Sequence, residues 1–195
     1  MELGRDLRVL VFDLDGTLVH LDVDWTYLRR RLGPLAPAES LGAAIQRLVT
    51  ASSPVLAEVT SAELAALGDR RVDPDIAVTL EKLAGRYRLA VFTRNSREVA
   101  QRALAGLDLG PGAVIVGRED CARLKPAPDG LRRIMDHFRV TAAEVAVIGD
   151  TSHDVEAAAA VGAVSVVVRN DRLAHAPGGA DHRVDRLSDL LTLFG

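Results

Sequence analysis

The sequence predicts an α/β protein: a doubly wound parallel sheet in the order 3-2-1-4-5, with a small helical insertion after the first strand. Three observations carry this expectation. Five short, near-continuous apolar runs each end in polar residues or glycine. Helical patterns separate most of them. One long block, Val19 to Val72, holds helical patterns and no strand. Runs that are apolar on both faces suit strands of a parallel sheet covered on both sides. Their alternation with helices gives the layered α/β architecture.

The first strand is Arg8 to Phe12 (RVLVF), which runs into Asp13. The block that follows reads as helices near Asp24 to Leu32, Glu39 to Thr50 and Ser61 to Leu67. They are separated by the turn residues Gly33-Pro34, Ser52-Ser53-Pro54 and Gly68-Asp69. A β-to-α connection is normally a few residues long, so this block is expected as an insertion with its ends close together, a lid over the strand ends. Trp25, the only tryptophan, is expected to anchor the first lid helix with Leu28 and Leu32. Arg29-Arg30-Arg31 reads as a solvated face. After the insertion come a helix over Pro74 to Ala84, a strand over Arg88 to Phe92, and a helix over Ser96 to Leu104. A strand over Ala113 to Val116, a helix over Pro128 to Phe138 and a strand over Val145 to Ile148 follow. The chain closes with a helix over Ser152 to Val161, a strand over Val164 to Val168 and a short helix over Arg186 to Phe194. The expected division is a core of residues 1–18 and 73–195 and a cap of residues 19–72.

Composition narrows the function. The 195 residues are 48% hydrophobic and 26% charged, the balance of a globular protein able to build its own core. The single cysteine, Cys121, excludes an internal disulfide framework and fits a reducing compartment. No apolar run reaches the ~18 residues of a membrane span, and the first residues lack a secretion-type stretch. A cytoplasmic protein with no membrane partner, monomeric or weakly dimeric, is expected. A net charge of −3 and 4% aromatic residues supply neither the basic field nor the stacking surface of a nucleic-acid binder.

Polar residues gather where the apolar runs end, the place where open α/β sheets bind ligands. Asp13 and Asp15 stand two apart after the first strand and can face one side, with Gly16 permitting the turn that follows. Asp-x-Asp alone also suits a capping or solvated role. Gly149-Asp150 closes the fourth strand, and Asp154 lies in the first turn of the next helix, where an acidic residue also complements the helix dipole. If strands one and four are neighbours, Asp13, Asp15, Asp150 and Asp154 converge into an all-oxygen cluster that suits Mg²⁺. Thr93-Arg94-Asn95-Ser96 ends the second strand and opens a helix, offering hydroxyl, amide and backbone N–H groups as an anion seat; Asn95 or Ser96 could equally be a plain helix cap. Only two of the 24 basic residues are lysines, Lys82 and Lys125. In a chain that otherwise uses arginine, Lys125 in Arg123-Leu124-Lys125-Pro126 suggests a need for a compact ammonium, whereas Lys82 reads as surface. There is no Gly-x-x-x-x-Gly-Lys loop, His-Glu-x-x-His site or Gly-x-Ser-x-Gly elbow. The five histidines show no ligand-like pairing; His153 is the one inside the acidic loop.

Taken in order, Asp13-Leu14-Asp15-Gly16-Thr17, Thr93, Lys125, and Gly149-Asp150 with Asp154 resemble the four motifs of the haloacid dehalogenase-like hydrolase superfamily. Lys125-Pro126-Ala127-Pro128-Asp129 is similar to its phosphoglycolate phosphatase-like branch, and the helical insert to a short first-type cap. The resemblance implies a Rossmann-like core and a Mg²⁺-dependent phosphatase acting on a small phosphomonoester. It implies Asp13 as nucleophile, forming an aspartyl-phosphate, and Asp15 as the acid and base. It implies Mg²⁺ on Asp13, the Asp15 main-chain carbonyl and Asp150, with Asp154 in support, and phosphate binding by Thr93 and Lys125, with Asn95 as a helper. Asp15 sets the chain apart from the dehalogenase branch. His20 stands where the phosphatase branch often has an acidic residue. A phosphomutase on the same residues, or a non-catalytic partner-binding module, are the alternatives.

Overall fold

A computed structural model describes residues 6–31, 41–50, 53–173 and 175–194. Its centre is a six-stranded, all-parallel sheet in the order β3-β2-β1-β4-β5-β6. The strands are β1 (Val9–Phe12), β2 (Arg88–Phe92), β3 (Val114–Val116), β4 (Val145–Gly149), β5 (Val164–Val168) and β6 (His182–Val184). The four side chains of β1, one of the two central strands, are fully buried, each worth ~1.5–3 kcal/mol relative to exposure. The helices are α1 (Trp25–Arg31), α2 (Leu41–Thr50), α3 (Leu56–Ala65), α4 (Ile76–Ala84), α5 (Arg97–Ala103), α6 (Asp129–Phe138), α7 (Ser152–Ala159) and α8 (Leu190–Leu193). Helices α5 and α6 pack on the β2–β3 side, and α7 packs on β4 and β5.

The insertion between β1 and α4 returns to its starting point. The His20 N–H donates to the Arg71 carbonyl at 2.8 Å and the Arg71 N–H to the His20 carbonyl at 3.0 Å, so its two ends lie side by side. Leu28 of α1, Ile45 of α2 and Val59 of α3 are buried in the same apolar cluster as the sheet. The insertion therefore shares the hydrophobic core.

Four sequence expectations are revised. Strand β6 is an addition to the five expected strands: its three residues, His-Arg-Val, at a sheet edge carry no apolar run. The helix expected over Arg186 to Phe194 divides into a 3₁₀ turn, Leu187–Asp189, and α8. Helix α3 begins before Ser61: the chain turns at Ser53 and Pro54, and the Ser61 hydroxyl bonds back to the Ala57 carbonyl at 2.8 Å, inside the helix where it cannot cap it. Trp25 is 37% exposed, and Leu28 is the residue of α1 that is buried. Arg29, Arg30, Arg31 and Lys82 are exposed as expected. Leu32, the turn at Gly33-Pro34, the start of the second lid helix at Glu39 and the turn residue Ser52 lie outside the described residues.

Candidate active site

The register of the sheet brings the site together. Phe12 stands opposite Val91 on one side and Ile148 on the other, so Asp13 emerges level with the ends of β2 and β4. The Asp13 N–H continues the ladder to the Ile148 carbonyl at 2.8 Å, and the Thr93 N–H does the same to Val116 at 3.0 Å. Gly16 then turns the chain at φ +88°. A Cβ at that position would overlap the carboxylate of Asp150 and the amide of Asn170.

Carboxylate oxygens of Asp13, Asp150 and Asp154 lie within 4.8 Å of one another. The Lys125 ammonium sits 2.8 Å from Asp13 Oδ1 and 2.5 Å from Asp154 Oδ1, and 5.3 Å above the ring of Phe92. Lys125, Asp150 and Asp154 are buried. Asp150 is held by the Asn170 amide at 2.6 Å and by the Thr17 hydroxyl at 3.5 Å. Asp154 is held from behind by Thr151, whose N–H and hydroxyl donate to Oδ2 at 3.1 and 2.7 Å. Burial pushes the Asp13 carboxyl up to about 7, against the pull of Lys125, with Asp154 and Asp150 adding to the rise. Burial likewise raises Asp150, although the Asn170 bond opposes it. For Lys125 burial acts against the charge, but Asp13 and Asp154 outweigh it and hold the ammonium above its ordinary range. Among the described residues the three clustered carboxylates meet one ammonium, which pairs with Asp13 and Asp154 and leaves Asp150 without an ion-pair partner. An all-oxygen, electron-rich donor set of this kind fits a hard divalent cation such as Mg²⁺.

Asp15 is not part of that cluster. Its carboxylate turns away, accepting the Leu21 N–H at 2.8 Å, with Arg172 Nη1 3.7 Å distant. Burial raises its pKa despite that hydrogen bond and the arginine. Thr93 and Asn95 hold each other: the Thr93 hydroxyl donates to Asn95 Oδ1 at 2.9 Å and accepts the Asn95 N–H at 3.1 Å. The Asn95 amide then points away from the carboxylates, to Glu63 of α3 at 3.1 Å. Ser96 is the cap of α5, its hydroxyl accepting the Val99 N–H at 3.2 Å.

Several polar groups at the site are not among the candidate residues that the sequence singles out. Asn170 lies two residues past the end of β5, and a polar residue just beyond a buried strand was the available clue. Arg94 lies between Thr93 and Asn95; Nη1 is 3.2 Å from His153 Nδ1. Arg172 joins the loop after β5 to Asp22 at 2.6 Å and to the Leu21 carbonyl at 3.1 Å. Glu63 and Arg118, in the lid and after β3, form a buried two-pronged pair at 3.0 and 3.2 Å.

Comparison with known proteins gives the family and the fold. Residues 52–168 match the model of the haloacid dehalogenase-like hydrolase family. The chain is 32% identical over 192 residues to a phosphoglycolate phosphatase of Rhodospirillum rubrum, covering 83% of this chain and 79% of that protein. It is 28% identical to pyrophosphatase PpaX of Halalkalibacterium halodurans, covering 84% of each. Among solved structures, a HAD phosphatase of Thermococcus onnurineus superposes with a TM-score of 0.70 at 21% identity, over 97% of this chain and 98% of that one, and so shares the fold.

Proposed function

The chain belongs to the haloacid dehalogenase-like hydrolase family, and from that premise we propose a Mg²⁺-dependent phosphatase that hydrolyses a small phosphomonoester through an aspartyl-phosphate on Asp13. Phosphatase activity is the reading common to the relatives, which are named as phosphatases of phosphoglycolate and of pyrophosphate. The observation that carries the finer reading is the placement of Asp13. It sits at the end of the central strand, with its carboxylate against Lys125 and two further carboxylates.

Asp13 attacks phosphorus, and the bond from phosphorus to the leaving oxygen breaks. Asp15, whose carboxyl burial holds above its ordinary range, gives that oxygen a proton. The Asp15 carboxylate then takes a proton from water, which attacks the aspartyl-phosphate and returns Asp13 free with inorganic phosphate. Lys125 stays charged beside Asp13 and stabilises the phosphoryl oxygens; the Thr93 loop, stiffened by Asn95, closes the other side of the seat. Asp13, Asp150 and Asp154, with the Asp15 carbonyl, would hold Mg²⁺, which supplies charge neutralisation for the phosphoryl group and favours the ionised form of Asp13. The insertion covers the strand ends and is the part of the chain that meets the leaving group. A cytoplasmic, monomeric or weakly dimeric enzyme is the reading, and a lone cysteine, Cys121, that is free and buried fits a reducing compartment. Among the described residues no helix is long and apolar enough to cross a membrane.

The test is phosphate release across a panel of phosphorylated metabolites, with Mg²⁺ and with excess chelator. Release that requires Mg²⁺ is expected. No release from any phosphomonoester, or release undiminished by chelator, would overturn the corresponding half of the reading.

A further inference from the structure

Arg94 is the residue of the Thr93–Ser96 loop used neither by the mechanism nor in capping α5. It is half-buried and follows directly on Thr93. Its guanidinium lies between the Asp150–Asp154 loop, where Nη1 meets His153 Nδ1 at 3.2 Å, and the lid, where it packs beneath Gly42 of α2. A Cβ at Gly42 would overlap Nη2, so in this arrangement the guanidinium lies directly against the lid helix. The group is near enough to Asp13 and Asp154 to feel both charges. Yet among the described residues its guanidinium makes no ion pair, and the ring nitrogen of His153 is its one hydrogen-bond partner. That contrasts with Lys125, whose ammonium is held by two carboxylates. A guanidinium carries five N–H donors in a rigid fork suited to carboxylate and phosphate. Here most of those donors are uncommitted, at the margin where the lid meets the strand ends.

Position separates this cation from the phosphoryl seat. Lys125 faces Asp13 and therefore the phosphorus it attacks. Arg94 faces the insertion, at Gly42, and the insertion is the part of the chain that the phosphatase reading assigns to the leaving group. We propose that Arg94 recognises a second anionic group on the leaving half of the substrate, so that the enzyme prefers phosphomonoesters whose leaving group carries its own carboxylate or phosphate. The proposal rests on the phosphatase reading above and adds the residue and the chemistry of selection.

The experiment compares kcat/KM for 2-phosphoglycolate, whose leaving group bears a carboxylate, for pyrophosphate, whose leaving group is a phosphate, and for ethyl phosphate, whose leaving group is neutral. Wild type and Arg94→Gln are assayed with Mg²⁺. A charge-assisted contact is worth about tenfold or more. At least one of the two anionic substrates is expected to exceed ethyl phosphate by that factor in wild type, and the larger ratio names the anion. In Arg94→Gln that ratio should fall by about tenfold or more, chiefly through KM, and Arg94→Lys should recover part of it. Wild type that treats all three alike overturns the proposal even if the variants fail to fold, as does a ratio that Arg94→Gln leaves intact. Phosphate release from none of the three, or release with equal ratios, overturns this proposal alone; the phosphatase reading falls only if the wider panel of phosphomonoesters also releases none.

Discussion

Two buried charged clusters share the Thr93–Ser96 loop, and they are balanced differently. On the lid side, Glu63 receives two bonds from Arg118, one from the Asn95 amide and one from the Ser96 N–H, while Arg118 also reaches Thr60 at 2.8 Å and the Arg94 carbonyl at 3.2 Å. One carboxylate meets one guanidinium, and the remaining donors and acceptors find partners. On the strand-end side, three carboxylates stand together and the one ammonium pairs with two of them, Asp13 and Asp154. Burying charge is costly unless it is paired, so the first cluster is complete as it stands and the second calls for a cation. The difference separates a bolt from a site. It also bears on the lid: α3 cannot swing away from the core without exposing a buried ion pair, so access to Asp13 has to come from elsewhere along the insertion.

The largest expected effect lies in the unbalanced cluster. Asp13→Asn keeps the shape and removes the attacking oxygen's charge. Phosphatase turnover should fall by at least about 10³-fold. Lys125 keeps Asp154 as its partner, so the metal-free variant should unfold at no lower temperature than wild type near pH 8. Substantial turnover in folded Asp13→Asn would remove Asp13 from the mechanism, and a large loss of stability would show that the cluster is a structural bolt after all.

The balanced cluster should respond in the opposite way. Glu63→Gln leaves Arg118 charged and buried with no carboxylate partner among the described residues, a loss of about 3–5 kcal/mol in urea unfolding. Replacing both partners, Glu63→Leu with Arg118→Met, should return much of that stability, because an apolar pair carries no desolvation penalty. If Glu63→Gln proved as stable as wild type, the contrast between the clusters would fail.

These two clusters also mark the limit of what the sequence makes legible. The sheet is written in apolar runs, and β1, β2, β4 and β5 fall within a residue or so of their expected bounds because a buried parallel strand leaves no freedom of pattern. Asp13 and Asp150 are visible because they stand at the ends of those runs, Asp154 because it opens the helix that follows, and Lys125 because it is one of two lysines in an arginine-rich chain. Glu63 is invisible: on a helix with both apolar and polar neighbours, a buried glutamate reads as one more surface charge, and its partner is 55 residues away. Arg118 and Arg94 vanish among the many arginines for the same reason. Trp25 misleads in the other direction, since size favours burial but α1 turns Leu28 inward. Pairing across the fold is a property of tertiary structure, and single-residue character does not encode it.

A smaller effect concerns pH in the metal-free protein. Burial lifts Asp13 from its ordinary 3.8 to about 7, so between those values the folded state holds a proton that the unfolded chain has released. Stability contributed by this group is then full at low pH and is lost as pH rises through that window. Asp150, also raised by burial, adds with the same sign. The difference in unfolding free energy between wild type and Asp13→Asn, both chelated, should therefore shrink or reverse against wild type from pH 4 to pH 8. Saturating Mg²⁺ should cancel the trend and raise the melting temperature, since a ligand of the folded state stabilises it. Parallel curves for the two proteins would show that Asp13 carries no such penalty.

The smallest effect serves as the control, and it lies on the same helix as the bolt. Glu58 and Glu63 both belong to α3 and both meet an arginine, Glu58 pairing with Arg31 of α1 at 2.7 Å. Bond length does not distinguish them; solvent does. Arg31 and Glu58 are exposed, 53% and 40% by side chain, whereas Glu63 and Arg118 are each 2% exposed. Water and salt screen the outer pair, and either partner is rehydrated when the other is removed. Glu58→Gln should therefore leave the melting temperature within measurement error, at low salt and at 0.5 M salt alike. The side-chain hydrogen bond from Arg31 holds the Glu58 carboxyl below its ordinary range, but a shift in a fully solvated group does not translate into comparable stability. If Glu58→Gln cost as much as Glu63→Gln, the penalty would belong to docking α3 in general, and the buried imbalance of charge would no longer separate the bolt from the site.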